Sequence, residues 1–145
     1  PWPLEKLRKY VAHVNATVKP NLGDGAVQIL QAYYSRQRQA TGAARGRATI
    51  RMLESLVRVT QAHARLACKS LATVQDAVVA CLLVDKSMMD TAVFATGVEP
   101  IPELTVTTDS DAYFQYQRTT VLSALGLAVD DAPPQLASGP DHDPP

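Results

Sequence analysis

Arg51, Arg58 and Arg65 stand seven residues apart within Ala48–Cys68, ATIRMLESLVRVTQAHARLAC. At about 100° per residue they stack into one row on a helix, with Ile50, Leu53, Leu56, Val57, Ala64 and Ala67 on an arc roughly opposite. Glu54 and Gln61 flank the row at i+3 spacing. Guanidinium groups presented in line from a stiff helix suit the binding of an anion, phosphate included, because each offers a planar fork of donors with a permanent charge. The ordinary alternative is a solvated face whose arginines pair with nearby acids. Glu54 is placed to pair with Arg58 at i+4 and hold the row in register. His63 falls at the edge of the apolar arc and reads as a partly buried packing residue.

Other chemistry is sparse. No G-x-x-x-x-G-K-[ST] loop occurs, and no hydrophobic strand ends in paired acids for magnesium. His13, His63 and His142 are not grouped with Cys or Asp at metal-ligand spacing, so no metal site is expected. Cys68 and Cys81 sit in apolar helical stretches and read as small buried hydrophobes in a reducing compartment. The chain has 14 basic and 14 acidic residues, a balance that argues against an autonomous nucleic-acid binder. A hydrophobic content of 46% is ordinary for a globular core, and no apolar run approaches the length of a membrane span. Pro1-Trp2-Pro3 offers neither an initiator Met nor a signal-peptide pattern, so the chain reads as an internal piece of a larger protein.

The elements that must position the row are helical. The first helix is expected over Pro3–Ala16, with Leu4, Leu7, Val11 and Val14 inward and Pro3 at a tolerant first turn. Pro20, Gly23 and Gly25 break the pattern. A second helix runs from about Asp24 to Gln39, with Val27, Leu30 and Tyr34 inward and a polar, solvated end at Arg36–Gln39. Thr41–Ala48 is a loop carrying Arg45 and Arg47. After the arginine helix, Lys69–Ala72 turns into Thr73, which with Asp76 resembles a capping box. The helix that follows, through about Met89, packs Val74, Ala77, Val78, Cys81, Leu82 and Met88. The fold class is therefore all-α, a helical bundle over 1–89. A linker (90–110) and a further helix (111–127) follow, the latter with Phe114, Val121, Leu122 and Leu125 on one side and Gly126 as a stop; it reads equally as the start of a truncated C-terminal module or as a helix packed back onto the bundle. An Asp- and Pro-rich tail (128–145) is expected to be disordered.

TIRMLESLVRVTQAHARL closely resembles the T-x-R-x-L-E-S-L-I-R-L-x-E-A-H-A-R-L segment of the minichromosome maintenance (MCM) helicases, the sensor-2 part of their AAA+ ATPase module. Leu7–Val11 followed by Val18–Leu22 resembles the family's entry into the same lid subdomain, and Thr73–Ala77 resembles the start of its last helix. Lys86–Met89, a linker and Tyr116-Gln117-Arg118 are most similar to the ninth-paralogue branch. The resemblance implies a role for Arg51 as the sensor-2 arginine, catalytic in trans toward ATP held by a neighbouring subunit. It further implies Arg58 as a second candidate for nucleotide contact, with Glu54 and Arg65 in structural support. Mg2+, the Walker motifs and the arginine finger belong to upstream parts of the family's module, so this fragment alone should be inactive. A hexameric ring of MCM subunits with the eighth paralogue as partner is implied, as are DNA bound through the parent protein, a nuclear location, and work in replication and recombinational repair. Gln61 departs from the family's usual Glu and removes one acid from the row's surroundings. The alternative reading is a histone-fold-like dimerisation or DNA-binding module with no nucleotide role, since a long central helix between shorter ones fits that architecture too.

Overall fold

The computed structural model describes residues 2–40, 49–88, 94 and 110–128. In chain order it holds α1 (Leu4–Thr17), β1 (Asn21–Leu22), α2 (Asp24–Ala40), α3 (Ile50–Leu66), β2 (Leu71–Ala72), α4 (Val74–Ser87) and α5 (Ser110–Leu125). The helix order and all-α class agree with the sequence reading. The loop bearing Arg45 and Arg47, the linker apart from Phe94 and Ser110, and the tail beyond Ala128 lie outside the described residues.

Helix α4 is the central element. Ala77, Val78, Val79, Ala80, Cys81 and Leu82 are all buried, so it is covered on every side rather than along one stripe. Helices α2 and α3 pack against it, and α5 lies across α2 and α4. The core joins Ala26, Ile29, Leu30 and Tyr33 of α2, Met52 and Leu56 of α3, Val121 and Leu122 of α5, and Phe94. The further helix thus packs back onto the bundle. It ends at Gly126 (φ 69°), where Leu127 N–H bonds to the Leu122 carbonyl and Gly126 N–H to that of Ser123.

Two short parallel strands, unforeseen from the sequence, tie the loops before α2 and α4 together, pairing Asn21 with Leu71 and Leu22 with Ala72. This sets the starts of the two helices side by side. A Cβ at Gly23 would lie 2.9 Å from the Ala72 carbonyl oxygen, and one at Gly25 would lie 2.8 Å from Val74 Cγ2. Both glycines are therefore required by close approach.

Several inward assignments are corrected. In α1 only Val14 is buried, while Leu4, Leu7 and Val11 are exposed, because α1 sits at the edge of the bundle with α3 as its main neighbour. The buried side of α2 is Ala26, Ile29, Leu30, Tyr33 and Gln37, with Val27 and Tyr34 only half-buried. In α3 the buried positions are Met52, Leu56, Thr60 and Ala64. Ile50 is 72% exposed and Ala67 is exposed, since both lie at the ends of the helix, beyond the elements that cover it. Cys68 is exposed, whereas Cys81 is buried.

Candidate functional site

The outer side of α3 carries the arginine row. Thr49 takes the extended N-cap conformation without a side-chain capping bond, and no acid occupies the first helical turn. Arg51 sits in that turn and is exposed. A cation there opposes the helix's own dipole, which favours negative charge at an N-terminus. The backbone N–H groups of the turn and the guanidinium therefore project positive potential in one place, an arrangement that favours an external anion.

The acid nearest in sequence is engaged elsewhere. Glu54 Oε2 accepts from Arg58 Nη2 at 3.3 Å. Both side chains are more than half exposed, so the pair contributes only about 0.3–0.5 kcal/mol, yet it keeps Glu54 facing Arg58. Arg65 turns toward α1: Nε donates to the Val18 carbonyl at 3.0 Å and Nη1 to Asn15 Oδ1 at 3.3 Å. The three arginines thus occupy different settings. Arg65 is held by the fold, Arg58 is paired within the helix, and Arg51 makes no side-chain hydrogen bond or ion pair among the described residues.

Gln61, which the sequence reading set apart from the rest of the motif, donates from Nε2 to the Pro20 carbonyl at 3.1 Å. A glutamate could not make this bond when ionised, since it lacks a donor.

His63 does more than pack. Its Nδ1 donates to Asp76 Oδ1 at 2.6 Å across the α3–α4 interface. Asp76, wholly buried, also accepts from Thr73 N–H at 2.7 Å, Thr73 Oγ1 at 2.9 Å and Lys69 Nζ at 3.3 Å. The capping carboxylate foreseen from the sequence is therefore also the joint between two helices. Burial alone would raise its pKa; the His63 bond, the Thr73 donors and the Lys69 charge outweigh burial and hold it below the usual carboxylate range.

A second buried carboxylate was not foreseen. Asp85 Oδ1 accepts from Tyr33 Oη at 3.0 Å and Gln37 Nε2 at 3.3 Å, and Oδ2 accepts from Phe94 N–H at 2.9 Å. Gln37, read as solvated, is 1% exposed. Burial and the nearby Asp85 charge push the Tyr33 phenol above its ordinary range, and the same two causes raise the Cys81 thiol. These groups stay protonated and serve the core. The only sequence hint was a polar residue, Gln37, one helical turn after an aromatic.

A cleft of about 260 Å³ lies between the starts of α2 and α4 and the end of α5, lined by residues including Gly25, Val74, Arg118 and Leu122. No arginine of the row lines it. Among the described residues no group of three metal-ligating side chains occurs, and no helix is long and apolar enough to cross a membrane.

Comparison with known proteins gives these helices a family. The MCM AAA-lid domain matches residues 5–88. The probable DNA helicase MCM9 of Oryza sativa subsp. indica is 42% identical over 96 residues, which cover 66% of this chain and 14% of that protein. The probable DNA helicase MCM9 of Arabidopsis thaliana is 40% identical over 92 residues, 63% of this chain and 14% of that protein. The DNA helicase MCM8 of Gallus gallus is 39% identical over 90 residues, 61% of this chain and 11% of that protein. The chain therefore spans only a small part of the length of the relatives it matches, and what it shares with them is the bundle rather than a whole enzyme. With the lid domain matched across more than half of its residues, the chain belongs to the MCM family and carries that family's AAA lid.

Proposed function

We propose that this lid serves an ATP-dependent DNA helicase and supplies Arg51 to ATP bound by a neighbouring subunit. The observation that carries the reading is the state of Arg51: exposed, in a first turn without acids, on a helix whose one carboxylate, Glu54, is taken by Arg58. A guanidinium so placed fits the anionic end of a nucleotide. Arg58 fits less well, being paired with Glu54 and two turns, about 10 Å, further along the helix.

Bound ATP with Mg2+ would supply the phosphoryl group whose transfer drives the helicase. The part of this chain is electrostatic. Arg51 offsets negative charge that grows on the phosphoryl oxygens as the bond to the leaving group lengthens, and a donor held in advance does so without reorganising. The arrangement needs a second protomer, so the parent would work as a ring of MCM subunits, with the eighth paralogue as the partner suggested by similarity to MCM8 proteins. Work on DNA in the nucleus, in replication and recombinational repair, belongs to the same proposal.

The test is Arg51→Ala in the longer parent helicase assembled with its partner subunits. Turnover should fall about 10²-fold with little change in KM, as for loss of one transition-state donor. Unchanged turnover would reject the reading.

A further inference from the structure

Among the described residues, every side-chain hydrogen bond between α3 and another element lies near the end of the helix remote from Arg51. Gln61 holds the Pro20 carbonyl, His63 holds Asp76 of α4, Arg65 holds Val18 and Asn15, and Tyr10 Oη of α1 donates to the Leu66 carbonyl. The bonds made earlier in the helix stay inside it: Ser55 to the Arg51 carbonyl, Arg58 to Glu54, Thr60 to the Leu56 carbonyl. Toward its start α3 has apolar packing through Met52 and Leu56. Apolar contact is non-directional and tolerates small sliding, whereas several hydrogen bonds from different directions fix both tilt and rotation.

We infer that Gln61, His63 and Arg65 are positioning residues, a clamp that sets where Arg51 stands. The functional meaning of the clamp rests on the reading of Arg51 given above. His63 and Arg51 are twelve residues apart, about 18 Å along a helix. A tilt of about 3° at the clamp therefore moves the arginine by about 1 Å over that lever arm. A displacement of that size at a catalytic group costs on the order of 10²-fold in rate. His63 is the central grip because its acceptor, Asp76, is buried and held by Thr73 and Lys69, so α3 is referenced to the first turn of the central helix α4. Arg65 and Gln61 add two further directions, toward α1 and toward the loop after it. The row of arginines divides by role accordingly: one end grips, the other is presented.

The experiment uses the full 145-residue chain with Cys68→Ser and Cys81→Ala, carrying nitroxide labels at Ile50→Cys and Gln31→Cys, both exposed positions. The distance distribution between α3's start and α2 is read by pulsed electron resonance. His63→Leu, and separately Arg65→Ala, should shift or broaden that distribution by about 1–2 Å, as the lever arm dictates. His63→Asn, whose amide N–H replaces Nδ1–H, should restore it. Val78→Ala, which lightens the core without touching the clamp, should leave it unchanged even where it lowers the melting temperature. An unchanged distribution in both His63→Leu and Arg65→Ala, failure of His63→Asn to restore it, or equal broadening in Val78→Ala overturns the inference. The functional reading has its own arm. In the assembled parent helicase His63→Leu should lower kcat at constant KM and His63→Asn should recover it. If Arg51→Ala leaves turnover intact, the nucleotide role falls while the measured distances still decide the clamp.

Discussion

Asp76 shows how much one side chain can do in a small bundle. It caps α4, receives His63 from α3 and neutralises Lys69. Its pKa is lower in the folded chain than in the unfolded one, so its stabilisation is complete above about pH 5 and is lost as the pH falls through the unfolded value, near 3.9, and then through the folded one. Denaturant titrations at a series of pH values should show stability falling along this acid limb. Asp76→Asn should flatten that limb and cost about 2–3 kcal/mol at neutral pH, because bonds to a charged acceptor are weakened and Lys69 loses its counter-ion. Cys68 offers the opposite opportunity. It adopts φ 54° just past α3, where Cys68 N–H bonds to the Arg65 carbonyl and Lys69 N–H to that of Ala64. This closing motif favours glycine, since a side chain in the left-handed region is strained. Cys68→Gly should raise stability by about 0.5–1 kcal/mol, measured as a higher melting temperature.

At the scale of elements, the parallel pairing of β1 and β2 is what brings the starts of α2 and α4 together, and two glycines permit it. A methyl group on Gly25 would meet Val74 at 2.8 Å. Gly25→Ala should therefore cost about 1–3 kcal/mol by overpacking, despite the better helix propensity of alanine, and Gly25→Ala combined with Val74→Ala should recover part of the loss in a double-mutant cycle. The helices themselves were legible from their 3.6-residue period, and their ends from Pro20, Gly23, Thr73 and Gly126. Their covered sides were less so. Period alone centres α3's buried face on its apolar residues; the structure centres it on Met52, Leu56, Thr60 and Ala64. The buried Thr60 hydroxyl returns its hydrogen bond to the Leu56 carbonyl, which makes a polar residue acceptable at a core position.

At the scale of the whole molecule, the bundle extends beyond the segment that defines the family's lid. Phe94 is buried against Tyr33, with ring centroids 5.4 Å apart, and its N–H satisfies Asp85. Val121 and Leu122 of α5 enter the same core. Phe94→Ala should destabilise the chain by about 3–5 kcal/mol in a denaturant titration, the ordinary cost of emptying a buried aromatic site, and native-state hydrogen exchange should show α2 and α4 losing protection together. None of these contacts follows from spacing. Gln37 and Asp85 are 48 residues apart in sequence, and an isolated Phe between Thr91 and Thr96 carries no periodic signal.

The amino-acid order by itself determined the helices, their breaks, the capping carboxylate, the seven-residue arginine row and the family resemblance, because period, caps and motif wording are local properties. Tertiary packing alone decided that Arg65 grips α1 while Arg51 stays exposed, that His63 bonds to Asp76, and that Gln37 is buried beside Asp85. Burial and hydrogen-bond partnership depend on which distant segment arrives to cover a side chain, and no window along the chain contains that neighbour.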